Sequence, residues 1–350
     1  MHCEHAQRAQ LAGLPRRGAA LRIGSLESGV VSSAVEHCLH TAGAIGSIPI
    51  PPTNFRNRMN ALDLTSLRSA LFVPLADERF LAKAPERGAD ALLLDLEDSV
   101  PPALKSAARA RLPEAASRLA IAGATVMVRV NSSPDLLSED LKAAARSPVA
   151  AIFLPKVENA EQVIAAELLL SGSVAKLVAM LESPAAVLDA VAIARAGTRL
   201  AGLVFGSEDY CGTLGIASDR AALEWPAQMV STAARARGLA AFGQPGPVAE
   251  IADMDGYARL LGRAKAMGFT GTLCIHPRQV EVANRAYSPT DAEIALSAEI
   301  VAAFEAALRE GRGAFALHGK MIDAPVVDQA RATLARARLP QSRGTPSPRG

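Results

Sequence analysis

Residues 88–98 read Gly88-Ala-Asp-Ala-Leu-Leu-Leu-Asp-Leu-Glu-Asp98. Within them Ala91–Leu96 is an apolar run of strand length that runs out into acids. A run with no polar alternation is what a strand covered on both faces looks like. Outward in both directions the same unit recurs. Upstream, Ser69–Val73 reads as a strand and Glu78–Arg87 as a helix. Downstream, strands at Thr125–Val130, Ala151–Leu154, Lys176–Leu181, Leu200–Phe205, Leu239–Phe242 and Thr272–Ile275 alternate with helices. Those helices are expected at Leu104–Leu119, Leu136–Arg146, Ala160–Leu170, Ala185–Ala196, Arg220–Arg237, Met254–Met267 and Arg278–Ala286. Strands separated by helices pair in parallel through crossovers. Eight such units over about 220 residues predict an α/β fold, a (β/α)8 TIM barrel, across residues 66–289. A doubly wound open sheet would advertise a glycine-rich phosphate loop after its first strand, and Pro74-Leu75-Ala76-Asp77 is not one.

Past the barrel, Thr290–Arg309 reads as a helix capped by Thr290 or Asp291 and ended by Gly311 and Gly313. Phe315–Asp323 reads as a connection and Ala324–Ala337 as a final helix. The region 290–338 is therefore expected to be a C-terminal helical lid or oligomerisation extension, and 339–350 a Pro/Ser/Arg-rich disordered tail. Residues 1–65 lack periodicity. They hold four of the six histidines, and Ile48-Pro49-Ile50-Pro51-Pro52 breaks any element. They read as a disordered or untranslated extension, with Met59 just ahead of the patterned region; sparse acids and several arginines also permit an organelle-transit reading. Cys3, His5, His37, Cys38 and His40 fit no zinc-ligand spacing.

The composition excludes several functions. With 37 Lys+Arg against 35 Asp+Glu there is no basic excess to neutralise nucleic-acid phosphates, and 4% aromatics leave few base-stacking platforms. No apolar stretch is long enough for a membrane span. Four cysteines without paired spacing point to a reducing, cytoplasmic setting. Cys211 and Cys274 read as small buried apolar side chains, and Trp225 as packing.

Barrel active sites form where strands run out into the loops that follow them. Those ends are Asp95-Leu96-Glu97-Asp98, Arg129-Val130-Asn131, Pro155-Lys156, Glu182-Ser183, Gly206-Ser207-Glu208-Asp209 and His276-Pro277. Carboxylates thus converge from three strands with an Arg and a Lys between them. Such a cluster needs a compensating cation or proton, and an oxygen-rich set favours Mg2+ over zinc; a ring of salt bridges is the alternative. Which carboxylates bind is not decided by spacing. His276, ahead of a proline, reads as a hydrogen-bonded structural residue, and Gly243-Gln244-Pro245-Gly246 as a turn. Arg79 and Lys83, four apart on the first helix, share a face that is either solvated or holds an anion.

The motifs Arg68-Ser-Ala-Leu-Phe-Val-Pro74, residues 88–98, Val128-Arg-Val-Asn131, Leu154-Pro-Lys-Val-Glu158, Phe205-Gly-Ser-Glu-Asp209, Gly268-Phe-Thr-Gly271, Ile275-His-Pro277 and Gly319-Lys-Met-Ile-Asp-Ala-Pro325 occur in this order. Together, over about residues 66–338, they resemble the HpcH/HpaI aldolase and citrate lyase beta-subunit family. The likeness is strongest to its citramalyl-CoA or malyl-CoA lyase branch. The resemblance implies a Mg2+-dependent lyase cleaving a 3-hydroxyacyl-CoA to a 2-keto acid and an acyl-CoA. It implies metal ligands Glu182 and Asp209; Asp95, Glu97 and Asp98 are then expected just outside those ligands or orienting waters. It makes Arg129 a substrate-binding and catalytic residue and places Phe72 against the substrate. Arg79 and Lys83 become coenzyme A contacts, and Asp323 a catalytic acid supplied by a neighbouring subunit of a homotrimer or an assembly of trimers. A metal-dependent aldolase of free keto acids and a carrier-dependent citrate lyase beta subunit are the alternatives. Leu75, Phe72, Ala227-Gln228-Met229 and residues 242–250 depart from the family pattern where the acyl group would be shaped.

Overall fold

The computed structural model describes residues 62–338 except 219, 220 and 250. Eight parallel strands form one sheet: β1 (Ser69–Pro74), β2 (Ala91–Asp95), β3 (Val126–Arg129), β4 (Ala151–Leu154), β5 (Lys176–Leu181), β6 (Leu200–Phe205), β7 (Ala240–Gly243) and β8 (Thr272–Cys274). From β1 to β7 each pairs with its successor, and β8 pairs with β1. Between β7 and β8 the barrel is nearly closed, through a parallel bridge from Phe242 to Gly271. Gly271 is required there, because a Cβ would stand 2.3 Å from the carbonyl oxygen of Leu67.

The helices that cover the sheet are α1 (Glu78–Lys83), α2 (Lys105–Ile121), α3 (Pro134–Ala145), α4 (Ala160–Leu168), α5 (Pro184–Leu188), α6 (Ala190–Ile193), α7 (Ser207–Leu214), α8 (Glu224–Arg235), α9 (Met254–Ala266) and α10 (Pro277–Tyr287). Three expectations change. The first helix passes into a 3-10 turn at Ala84, where Pro85 removes an amide donor. The helix expected at Ala185–Ala196 breaks in two at Asp189. The one expected to begin at Arg220 begins at Glu224, and α7, which was not foreseen, opens directly from β6.

Two cores follow from strand parity. Leu92 and Leu94 face the helices, while Ala91 and Leu93 face the barrel axis with Met127, Phe153, Val178, Met180, Val204 and Phe242. Continuing the alternation carries Asp95, Arg129 and Glu182 inward at the strands' C-terminal ends. Leu64 and Leu67 close the opposite end, Leu64 from a 3-10 turn capped by Asp63. The barrel's packing therefore begins before the expected boundary at residue 66. Residues 1–61, with the histidine and cysteine cluster, and the tail from 339 lie outside the described residues.

Two further helices, α11 (Asp291–Arg309) and α12 (Ala324–Ala337), follow the barrel. The connection between them holds a hairpin, β9 (Phe315–Leu317) with β10 (Lys320–Ile322). Its two-residue turn, His318-Gly319, has both φ angles positive (49° and 74°), as tight hairpin turns require. Ile300, Phe304, Ile322, Val327 and Ala330 form a small core of their own, separate from the barrel cores. At its base Arg336 donates to the carbonyl oxygens of Tyr287, Thr65 and Thr270. Thr65 and Thr270 precede β1 and β8, so this end of α12 is tied to the barrel face opposite the convergent carboxylates.

Candidate active site

The side chains at the C-terminal end of the barrel fall into two halves. In the first, β2 and β3 run side by side with Asp95 opposite Arg129. Arg129 forks onto Asp95, Nε to Oδ1 and Nη2 to Oδ2, both at 2.8 Å. Its Nη1 lies 2.9 Å from Glu97 Oε2 and donates to Asp98 Oδ2 at 3.1 Å. The guanidinium also rests over the Phe72 ring, 4.6 Å from its centroid, which fixes the cation's plane. The amides of Glu97 and Ser99 complete the shell of Asp95. Burial alone would raise the Asp95 carboxyl; the Arg129 fork outweighs it and holds the group below the ordinary carboxylate value. Arg129 in turn is held firmly in its charged form by these acids, against the effect of burial. The sequence reading set Asp95 around a metal. Here its oxygens are spent on Arg129 and two backbone amides, so it orients the arginine.

The second half is built by β4, β5 and β6. Glu182, 4% exposed, follows β5 and accepts the backbone N–H of Lys156 at Oε2, 2.8 Å away. Its space is made by Gly206, where a Cβ would stand 2.5 Å from Glu182 Cγ. Asp209 is exposed in the first turn of α7, so this unforeseen helix presents it. Burial, then the charges of Asp209 and Glu97, push the Glu182 carboxyl up to about 8. Lys156 joins the halves: its Nζ lies 3.3 Å from Glu97 Oε1. Glu97 is ion-paired by distance to Arg129 and Lys156, yet neither contact has hydrogen-bond geometry, and its buried oxygens lack a directional donor. Burial lifts its carboxyl above the ordinary range despite Arg129.

Three acids thus crowd one pocket with a deficit of positive charge on the Glu182 side. That arrangement fits a hard divalent cation. Among the described residues no group of three or more His, Cys, Asp or Glu is placed to hold a metal. The protein would therefore supply two carboxylates and leave the remaining positions to water and substrate, the manner in which Mg2+ is usually held.

The other expected residues lie apart from this centre. Arg79 and Lys83 are exposed on α1, with Arg79 ion-paired to the helix cap Asp77 at 2.7 Å. Asp323 is the N-cap residue of α12 but makes no side-chain capping bond. His276 caps α10 in a box with Gln279, a structural role. Cys211 and Cys274 are buried, and burial pushes the Cys274 thiol up to about 12. Trp225, expected to pack, is 57% exposed in the first turn of α8. Gly206 and the backbone of Lys156 carry work that residue type alone did not signal.

Residues 68–277 match the family model described as HpcH/HpaI aldolase/citrate lyase. The chain is 34% identical to the citrate lyase subunit beta of Escherichia coli over 78% of its own length and 93% of that protein. It is 37% identical to a (3S)-malyl-CoA thioesterase of Cereibacter sphaeroides, over 77% and 94%. Among solved structures it resembles CitE of Mycobacterium tuberculosis in complex with magnesium, acetoacetate and coenzyme A. That likeness has a TM-score of 0.63 and 33% identity, and spans 77% of this chain and 97% of that one.

Proposed function

The chain belongs to the HpcH/HpaI aldolase/citrate lyase family, and on that premise we propose that it is a Mg2+-dependent carbon–carbon lyase. Its substrate is a 3-hydroxyacyl-CoA of the citramalyl-CoA or malyl-CoA kind, cleaved reversibly to a 2-keto acid and an acyl-CoA. The observation that carries this is the buried Glu182 carboxylate, crowded by Asp209 and Glu97 beside a clamped Arg129. Magnesium and coenzyme A in the CitE neighbour support the cofactor and the thioester.

In this reading Glu182 and Asp209 hold the metal. When bound, Mg2+ polarises the substrate's carboxylate and hydroxyl oxygens as a Lewis acid. Arg129 commits three of its five N–H donors to Asp95 and Asp98, with Glu97 ion-paired beside them, and keeps an N–H on Nη2 for a substrate oxyanion. Cleavage passes the hydroxyl proton to solvent water, turns the hydroxyl carbon into the keto carbonyl as the carbon–carbon bond breaks, and leaves that bond's electron pair on the acyl-CoA carbon as an enolate. An acid must then deliver a proton to that carbon, and Asp323 of a neighbouring subunit in a homotrimer fills the role. Arg79 and Lys83 meet the coenzyme A phosphates. The enzyme works in the cytoplasm.

The test is a screen of purified protein with Mg2+ against citramalyl-, malyl-, methylmalyl- and citryl-CoA. Release of keto acid from at least one, lost in Glu182→Gln and in chelator, is expected. Release of free CoA without keto acid from any of the four would replace the lyase with a hydrolase, the reading favoured by the malyl-CoA thioesterase relative. Turnover only with added alpha and carrier subunits would make it a citrate lyase beta subunit, and turnover of free hydroxy acids an aldolase. Inertness in every arm overturns the proposal.

A further inference from the structure

Lys156 and His318 are the two non-glycine residues with positive φ among the described residues. His318 sits in a hairpin turn that asks for it. Lys156, φ 54°, sits in no hairpin; it is the second residue past β4, in the pocket itself. A lysine pays for that conformation through its Cβ, and such strain persists only where the surroundings enforce it.

The enforcing contacts lie on both sides. The next amide, Val157 N–H, donates to Met180 O at 3.0 Å, so the chain rejoins β5 immediately after the left-handed step. The step itself turns the Lys156 N–H toward the barrel axis and onto Glu182 Oε2 at 2.8 Å. Gly206 leaves Glu182 the opposite side of the same space. The side chain then runs to Glu97, which leans on Arg129. One residue therefore touches both halves of the pocket, with its backbone on one and its ammonium on the other.

We propose that Lys156 is a positioning residue with two separable functions: its left-handed backbone fixes the Glu182 carboxylate, and its ammonium fixes Glu97 against the Arg129 fork. The reading of Glu182 as a metal ligand is the premise for the first function's effect on metal, and the geometry of Glu182 is independent of it. The two functions predict different rankings of substitutions. Glycine keeps the amide donor and adopts positive φ freely; valine keeps the donor but, being β-branched, resists that φ. Both lack the ammonium.

Mg2+ titration calorimetry without substrate separates them. Lys156→Gly should bind Mg2+ within about twofold of the parent, and Lys156→Val should lose about tenfold or more, the range for residues that orient a metal ligand. Both variants should lose kcat by a similar factor beyond any metal effect, measured at saturating Mg2+, and Lys156→Arg should restore most of it. Crystal structures of the two variants give a reading that needs neither metal nor turnover: the Glu182 carboxylate stays in place with glycine and shifts with valine. If Glu182 keeps its position in both, or if the glycine variant loses Mg2+ as badly as valine, the backbone function is wrong. If either variant retains full kcat, the ammonium function is wrong. A parent protein that binds no Mg2+ while Glu182 moves as expected would overturn the metal reading and leave the positioning intact.

Discussion

Gly206 and Glu182 occupy one space between them. A methyl group at 206 would sit 2.5 Å from Glu182 Cγ and 3.0 Å from Oε1, closer than side chains approach. Gly206→Ala should therefore displace the carboxylate without disturbing the strands. Mg2+ affinity should fall by about tenfold or more while the circular dichroism spectrum is unchanged. The proton competes for the same group. Because burial and neighbouring acids raise the Glu182 carboxyl from 4.5 to about 8, it is protonated across most of the neutral range when no cation is present. Metal needs the ionised form, so apparent Mg2+ affinity should rise by up to about tenfold per pH unit below 8 and level off above it. The same shift works against the metal-free fold. Between pH 4.5 and 8 the native state holds a proton that the unfolded chain has lost, so this group's contribution makes stability fall as pH rises. Calorimetric titrations from pH 6 to 9 check the affinity trend, and Glu182→Gln should flatten it.

Individual elements show which features residue patterns make visible. The inward parity of β2, β3 and β5 can be counted from their apolar runs, and it carries Asp95, Arg129 and Glu182 to one end of the barrel without further information. The pairing of Asp95 with Arg129 was not legible, because it depends on the register of β2 against β3. Nor was α7, whose eight residues include Gly212 and are too few for a helical period to declare itself. The three-residue strands β9 and β10 escaped for the same reason. The 3-10 turn at Leu64–Ser66 was hidden differently: it precedes the first strand and looked like the end of an unpatterned stretch. Its Leu64 is nevertheless fully inside the axial core, and Lys176 Nζ bonds the carbonyl of Leu62. Removal of residues 1–58, leaving Met59 as the start, should therefore preserve folding and turnover. Leu64→Ala should cost about 2–5 kcal/mol in denaturant unfolding, the range for emptying a well-packed core site. Unchanged unfolding in Leu64→Ala would mean the turn merely rests on the barrel.

At the scale of the whole molecule the difficulty is distance within one chain. Asp323 begins α12 and Arg336 ends it, and a helix of this length separates its ends by about 20 Å. The Arg336 end is pinned to carbonyls at the strands' N-terminal face, whereas Glu182 and Arg129 stand at the C-terminal face. The arm's apolar residues pack on one another and leave Met321 74% exposed at the hairpin. An Asp that begins a helix usually caps it, and Asp323 does not spend its carboxylate that way. These features suit a segment that reaches a neighbour's pocket, where covering the mouth would keep water from an enolate. Exchange between inactive variants tests the idea directly. Asp323→Asn and Glu182→Gln proteins should each fall by about a hundredfold or more in kcat, as expected when a proton-transfer group or a metal ligand is lost. Co-assembled, they should regain a fraction of parental activity, because a mixed oligomer contains pockets in which both residues are intact. Mixed oligomers, verified by mass, that stay as inactive as their parents would show that Asp323 serves its own pocket or none.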